Sequence, residues 1–260
     1  MSQESLPLTG KKALIVGVAN QRSLAWGIAK KLHADGAEIA MTFQSERFGR
    51  KVKMLGEEVG AQIVQQCDLT SPEDLRQLAT TLEDKWDGLD IVIHSVAYAD
   101  AKNLQGRLLD VSEENYSMAL NISAYTLISL SKSMEGLLSK KGGSVVALSY
   151  YGAHKVFPGY HLMGVAKAAL EAIIRYLAHE LGEKKIRVNA ISAGAVKTLA
   201  ASGVPGIQSK LDMVEEKAPL KENISNEDVG DLAAFLCGQG SSKITGSTLY
   251  VDSGINILGV

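Results

Sequence analysis

The sequence predicts a single α/β domain of the Rossmann type, with a doubly wound parallel sheet of about seven strands and helices on both faces. Short apolar runs alternate with amphipathic stretches along all 260 residues. The apolar runs are continuous rather than alternating, which is typical of strands buried on both faces of a parallel sheet. No linker, repeat or low-complexity tract interrupts the sequence, so we expect one domain over residues 1–260.

Each strand-like run is followed by a helix-like segment, except at the end of the chain. The predicted strands are residues 11–18, 38–43, 61–69, 89–96, 143–150, 186–192 and 247–254. The predicted helices are residues 23–36, 46–60, 71–86, about 113–138, 160–182 and 225–238. Ser71, followed by Pro72 and two acidic residues, is typical of a helix N-terminus. Ligands of such sheets bind beyond the carboxyl ends of the strands, so residues at those ends are the first site candidates.

The bulk composition argues against several classes of partner. The formal charge of −2 and the pI near 6.2 give no electrostatic case for nucleic acid or an anionic membrane. Cys67 and Cys237 lie far apart and form no C-x2-C motif, so they predict reduced core thiols rather than a metal site or a disulfide. The N-terminal residues do not resemble a signal peptide, and no apolar run reaches the length of a membrane span. We therefore expect a soluble protein of the cytoplasm.

The first strand is followed by GVANQRSLAWG, residues 17–27, in which the usual G-x-G-x-x-G fingerprint is absent. Gly17 suits the turn at the strand end, and Ser23 can cap the next helix and offer a hydroxyl to a phosphate. The helix N-terminus supplies backbone N–H groups to an anion, and Gly27 permits close packing of helix on strand. An ordinary βα loop with a serine cap is the alternative, because the motif is degenerate.

The next strand ends add features that suit a dinucleotide. Gln44 stands where an acidic residue selects NAD, and it brings no charge, while Arg47 lies three residues on. We expect NADH, with NADPH as the less favoured cofactor. Asp68 can accept a hydrogen bond from an adenine amino group, or it can serve only as a helix cap. The small residues 95–97 allow close approach to a cofactor.

Residues 148–170 offer two tyrosine–lysine pairs for chemistry. Tyr151 and Lys155 have the familiar Y-x3-K spacing, but Gly152 and Pro158 argue against a helix that would bring them to one face. Tyr160 and Lys167 begin a long uninterrupted helix. Seven residues turn about 700°, so both side chains lie on one face, ~10 Å apart along the axis. This pair is the catalytic candidate; a surface tyrosine and lysine on an amphipathic helix is the alternative.

Ser149, a tyrosine and the string AKAALEAIIRYLAHELGEKKIRVNAISAG resemble the short-chain dehydrogenase/reductase superfamily. Its usual members have a tyrosine four residues before the lysine, where this sequence has Met163. The Y-x6-K spacing, with Tyr150 ten residues earlier, resembles the enoyl-[acyl-carrier-protein] reductases of bacterial and plastid fatty acid synthesis. The strings GVANQRSLAWGIA, HSVAYA, LSYYGA, AISAGAVKTLAASGV and EDVGDLAAFL also resemble that family, so the likeness spans essentially the whole chain.

The resemblance implies reduction of a trans-2-enoyl thioester by NADH, with hydride added at C3. Tyr160 would donate a hydrogen bond to the enolate oxygen, and Lys167 would hold the nicotinamide ribose hydroxyls. Tyr150 is expected to face the same pocket, as a proton donor, a positioning residue, an entrance residue or a packing aromatic. Ala99 is the implied substrate contact. The implied cofactor contacts are Gly17, Ser23, Leu24, Gln44, Asp68, Leu69, Val96, Lys167, Val196, Lys197, Thr198, Leu199 and Ala200.

The resemblance also implies a substrate lid over residues 198–219, where Thr198 is a plausible partner for the nicotinamide amide or the pyrophosphate. Lys210 is the only cation in residues 205–211, so docking of acyl carrier protein is expected to use other surfaces or to be weak. A homotetramer is implied, with residues 247–260 as interface, and a plastid stroma replaces the cytoplasm if the source is plant-like. Asn121 is a residue type that bends this helix around a water molecule in the superfamily.

Two other functions remain open from the sequence. One is reduction of 3-oxoacyl or other ketones by NAD(P)H, through Tyr151 and Lys155 or through an unpaired Tyr160. The other is a Rossmann-fold protein that senses NAD(H) without turnover, against which the intact Tyr160 and Lys167 argue.

Overall fold

The computed structural model describes residues 6–100, 104, 106–198 and 206–259. Within them, seven parallel strands form one sheet in the order β3-β2-β1-β4-β5-β6-β7. The strands are β1 (Lys12–Val16), β2 (Glu38–Phe43), β3 (Ile63–Gln66), β4 (Ile91–His94), β5 (Gly143–Ser149), β6 (Ile186–Ala193) and β7 (Thr248–Val251). The predicted doubly wound parallel sheet is confirmed, and the strand order reverses between β1 and β4.

Helices cover both faces of this sheet. They are α1 (Leu24–Ala34), α2 (Glu46–Glu58), α3 (Pro72–Lys85), α4 (Glu113–Leu120), α5 (Thr126–Leu138), α6 (His161–Leu181), α7 (Ile207–Lys217) and α8 (Asn226–Cys237). One apolar core packs α3, α5 and α6 against the sheet, and a second packs α1, α2 and α8 against the opposite face. The strands are buried on both sides, which explains their continuous apolar runs.

Several strands are shorter than the apolar runs that predicted them. The third run, residues 61–69, forms a strand only over Ile63–Gln66, and the fourth, 89–96, only over Ile91–His94. Beyond each strand the chain leaves the sheet, although Cys67 N and Ser95 N still donate hydrogen bonds to Phe43 O and Val16 O. These extensions carry candidate residues to the carboxyl edge of the sheet.

The long helix predicted around residues 113–138 is present with one interruption. A π-helical turn, Asn121–Tyr125, joins α4 to α5 and begins at the asparagine that the family resemblance singled out. Such turns widen a helix locally and are frequent at functional sites. Just after the turn, Thr126 Oγ1 donates to Ile122 O and is 2.9 Å from Nε2 of the buried His94.

The helix start predicted at Ser71 is confirmed, since its hydroxyl accepts a hydrogen bond from Asp74 N. Cys67 and Cys237 are buried free thiols, and burial raises the pKa of each to about 12. Of the helices in the described ranges, none is both long and apolar enough to cross a membrane.

Candidate active site

The loop after β1 lies at the point where the strand order reverses, and Gly17 is required there. Its φ is +104°, and a Cβ atom on it would lie 2.1 Å from Ser95 O. Any side chain would therefore push β1 and β4 apart at their carboxyl ends. Gly27 was predicted to allow close packing of the helix on a strand, but it packs against the start of α8 instead. A Cβ atom on Gly27 would lie 2.2 Å from Asn226 O.

Ser23 has the extended backbone of an N-cap residue, but the prediction that its side chain caps α1 is wrong. Its Oγ instead accepts hydrogen bonds from Ala19 N and Asn20 N, at 3.1 Å each. The hydroxyl therefore folds the loop back on itself. The N–H groups in the first turn of α1, which begins at Leu24, receive no side-chain cap from Ser23 and suit an anion.

Gln44 and Asp68, from the ends of β2 and β3, meet at the carboxyl edge of the sheet. Gln44 Nε2 lies 3.5 Å from Asp68 Oδ2. The other oxygen, Oδ1, accepts from Thr70 N at 2.9 Å, while α3 is capped by Ser71, so Asp68 is not the helix cap. Arg47 lies over the ring of Phe48 at 5.7 Å.

The remaining predicted cofactor contacts follow β3, β4 and β6. The Leu69 side chain is buried in the core, which leaves its backbone for any contact with a ligand. Val96 is half-buried after β4. Val196, Lys197 and Thr198 follow β6, and Thr198 N donates to Val196 O at 2.7 Å. Leu199 and Ala200 lie outside the described residues.

Tyr160 lies at the N-terminus of α6, and its ring packs against Tyr150 with the centroids 4.7 Å apart. Gly152 makes this packing possible, because a Cβ there would lie 2.7 Å from Cδ1 of the Tyr160 ring. Burial raises the pKa of Tyr160, so its hydroxyl is protonated at neutral pH and is a hydrogen-bond donor. Ala99, the implied substrate contact, packs in the same small cluster as Tyr160 and Met163.

Lys167 is buried at 5% exposure, two turns along α6 from Tyr160. Its Nζ donates to Leu148 O at 2.7 Å, which is its hydrogen-bond acceptor within the described residues. An ammonium has three hydrogens, so two remain for a ligand. Burial lowers the pKa of Lys167 to about 8, and the Glu171 carboxylate opposes that shift.

The rival pair, Tyr151 and Lys155, does not form a site. Tyr151 begins a single 3₁₀ turn, Tyr151–Ala153, and its side chain is buried. Lys155 Nζ donates to Leu258 O at 2.7 Å, near the C-terminus. The two side chains therefore have separate partners, and the familiar spacing is coincidental.

Sequence reasoning missed a hydrogen-bonded group beside Lys167. The buried Glu171 accepts from Ser149 Oγ through Oε1 and pairs with His154 Nε2 through Oε2, both at 2.5 Å. Ser149 follows Leu148, so the end of β5 holds both the lysine and this carboxylate. The position of Glu171 four residues after Lys167, on the same face of one helix, was the available signal.

A cluster of aromatic rings connects Tyr160 to α7, the helix within the segment expected to form a lid. Phe157 lies 5.7 Å from Tyr150 and 5.2 Å from Tyr151 by ring centroids, and Lys210 Nζ is 4.6 Å from the Phe157 centroid. Lys210, the cation expected on the lid, is thus turned inward and is buried. Burial also raises the pKa of Tyr150.

The doubly wound sheet, the tight turn at Gly17 and the tyrosine–lysine pair beyond β5 define a short-chain dehydrogenase/reductase. Comparison with known proteins makes the assignment more specific. The family model for enoyl-(acyl carrier protein) reductase matches residues 17–256. The chain therefore belongs to the enoyl-(acyl carrier protein) reductase family.

Three relatives illustrate the similarity. Enoyl-[acyl-carrier-protein] reductase [NADH] FabI of Rickettsia felis is 47% identical over 252 residues, which are 97% of this chain and 96% of that protein. The structure of the Anaplasma phagocytophilum reductase in complex with NAD is 43% identical, with a TM-score of 0.95 over 99% of this chain and 98% of that one. The Bacillus cereus reductase with NADP⁺ and indole naphthyridinone is 41% identical, with a TM-score of 0.95 over 98% and 99% of the two chains.

Proposed function

We propose that this chain reduces the trans-2 double bond of enoyl-acyl-carrier-protein thioesters with NADH, in fatty acid biosynthesis. The observation that carries the proposal is the pair formed by the partly buried Tyr160, at the start of α6, and the buried Lys167, with Met163 four residues before the lysine. The relative from Rickettsia felis bears the name of that NADH-dependent activity. Because Met163 has no hydroxyl, the donor is Tyr160, about one helical turn closer to the start of α6.

The residues at the carboxyl edge fit a nicotinamide dinucleotide. At the adenosine end, Gln44 and Asp68 offer a neutral amide and a carboxylate, and a carboxylate there disfavours the 2′-phosphate of NADPH. At the nicotinamide end, the two remaining hydrogens of the Lys167 ammonium suit ribose hydroxyls. NADH is the cofactor this set favours, and the NADP⁺ bound by the Bacillus cereus relative makes NADPH the comparison to measure.

When bound, NADH supplies the hydride that adds to C3 of the substrate, and a proton taken up from solvent at C2 of the resulting enolate completes the reduction. Tyr160 donates a hydrogen bond to the thioester oxygen, on which negative charge develops as the enolate forms. Removing one such donor typically costs ~2.7–4 kcal/mol of barrier. Lys167 orients the cofactor ribose, and its positive charge stabilises the same enolate. Tyr150 positions Tyr160 by ring packing, and its hydroxyl is a second donor candidate.

Three further features belong to this proposal. Residues 198–219, which include α7, act as the substrate lid.

The chain assembles as a homotetramer through its C-terminal region, where Tyr250 and Ile257 are exposed by 41% and 72%. The protein works in the cytoplasm, and because Lys210 is turned inward, acyl carrier protein docks on other surfaces.

A steady-state assay tests the function. The purified chain is given crotonyl thioester with NADH or NADPH, and the product is identified by mass spectrometry. We expect a butyryl thioester and a higher kcat/KM with NADH. Ketone reduction of acetoacetyl thioester without enoyl reduction would favour the carbonyl reductase. NADH binding without turnover of either substrate would favour a sensor.

A further inference from the structure

Lys210, in the first turn of α7, is a charged side chain that the fold buries. The residue is 9% exposed, and its Nζ atom has no hydrogen-bond partner among the described residues. Its Nζ atom lies over the face of the Phe157 ring, 4.6 Å from the centroid. A cation–π contact recovers only part of the free energy lost when an ammonium leaves water. A buried cation in this condition fits a site whose counter-charge arrives with a ligand.

The position of Lys210 connects it to the proposed substrate pocket. The Phe157 ring packs edge-on against Tyr150, and Tyr150 packs in the same way against Tyr160. Two aromatic rings therefore separate the ammonium from the ring of the residue proposed to bind the thioester oxygen. The Lys210 side chain extends from α7 to this cluster of rings. The rings and the lysine together form one wall of the proposed pocket, here called the aromatic wall.

We propose that Lys210 is a specificity-determining residue that binds a carboxylate on the acyl chain of the substrate. The inference rests on the proposed function and names a substrate class for it: enoyl thioesters whose acyl chain carries a carboxylate. An acyl pocket with only apolar walls rejects such a chain, because the carboxylate would be desolvated without a partner. A lysine that is already desolvated can donate a charge-assisted hydrogen bond to that carboxylate.

Other anionic partners fit the geometry less well. The enolate oxygen is assigned to Tyr160, from which Lys210 is separated by the rings of Tyr150 and Phe157. The phosphate of the pantetheine arm lies at the far end of that arm from the thioester. Acidic groups of a carrier protein contact the outer surface, whereas Lys210 Nζ is covered. We therefore assign the acyl chain to this wall.

The test compares substrates of equal length that differ only at the end of the acyl chain. N-acetylcysteamine thioesters of trans-2-octenoic and trans-2-octenedioic acid end in a methyl and a carboxylate group, and they carry no phosphate. A shorter pair, from trans-2-hexenoic and trans-2-hexenedioic acid, tests a second distance between the thioester and the end of the acyl chain. The kcat/KM of each with NADH is measured for the unmodified enzyme, for Lys210→Met and Lys210→Arg, and for Lys217→Met, which removes an exposed lysine of the same helix. A thermal unfolding transition is measured for each variant as the check that it folds.

We expect Lys210→Met to lower the preference for the carboxylate over the methyl substrate roughly 10- to 100-fold, mainly through KM. Lys210→Arg should retain the preference, and Lys217→Met should leave it unchanged. An unchanged preference in Lys210→Met at both chain lengths overturns the proposal. The same acids are also presented as coenzyme A thioesters, and a loss confined to those, whatever the acyl end, overturns the proposal too, because Lys210 would then recognise phosphate. Reduction of the methyl substrates alone by the unmodified enzyme overturns this inference and leaves the proposed function intact. If no thioester is reduced, the proposed function fails as well.

Discussion

Tyr160 and Tyr151 have the same hydroxyl but different surroundings. Tyr160 lies at the start of α6, beside Tyr150 and within the cluster that includes Ala99 and Met163. Tyr151 lies in the 3₁₀ turn after β5, packed against Phe157 and Tyr150. Removing each hydroxyl in turn therefore distinguishes a tyrosine that takes part in the reaction from one that only packs.

Tyr160→Phe should lower kcat for crotonyl thioester about 100- to 1000-fold, because it removes the donor to the enolate while the ring still packs. Tyr151→Phe should lower it far less. The measurement is kcat at saturating NADH, with thermal unfolding as the check that both variants fold. Equal losses in the two variants would assign the wrong tyrosine.

The lowered pKa of Lys167 predicts that its contribution to the stability of the fold improves as the pH rises. Its folded-state pKa, about 8, is below the ordinary value of 10.5, so the folded protein binds this proton more weakly than the unfolded chain does. The folded protein is therefore destabilised by the full amount below pH 8. This destabilisation is lost as the pH rises from about 8 to about 10.5. Its full size is roughly 3 kcal/mol.

Lys167→Met tests this sign. The unfolding free energy of the variant minus that of the unmodified apo protein should be more positive at pH 7 than at pH 10, by denaturant titration. A difference that is constant with pH, or that grows toward pH 10, would contradict the buried, destabilised ammonium.

At the scale of elements, α6 and the end of β5 form one unit around Lys167. Leu148 O accepts from the lysine, and Ser149 and His154 both bond Glu171. His154 is half exposed, and Lys167 and Tyr250 are further titratable groups near this carboxylate. The strand end and the helix thus hold a cation and an anion together in the interior, where their interaction is strong.

Glu171→Gln should move the alkaline decline of kcat/KM to lower pH. The carboxylate raises the pKa of Lys167, so a neutral amide of the same shape lowers it, and the ammonium is lost earlier as pH rises. Glu180→Gln, at an exposed position of the same helix, is the matched control and should retain the original profile. Coincident profiles for Glu171→Gln and the unmodified enzyme would show that Glu171 is structural only.

At the scale of the whole molecule, the exposed Tyr250 and Ile257 near the C-terminus predict assembly. We expect light scattering with size exclusion to give four times the chain mass of 27.7 kDa, and Ile257→Asp to reduce it. An unmodified protein that elutes at the mass of one chain would contradict the tetramer.

The sequence predicted what depends on local pattern. Continuous apolar runs predicted the buried parallel strands, and the unbroken stretch after Pro158 predicted the helix that carries Lys167, although Tyr160 is the N-cap residue of that helix and not part of its first turn. The inward direction of Lys210, the Ser149–Glu171–His154 contacts and the packing of Gly27 on α8 were not predictable in this way. Each depends on which distant segments meet, and spacing within one segment carries no information about that.

The central claim is that hydride adds to C3 of an enoyl thioester while Tyr160 holds the developing enolate. It is tested most directly by supplying NADH that is deuterated at the transferred position, together with crotonyl and acetoacetyl thioesters in one reaction. The account predicts butyryl thioester with deuterium at C3 as the main product. Deuterated 3-hydroxybutyryl thioester as the main product, with crotonyl thioester unchanged, would contradict it.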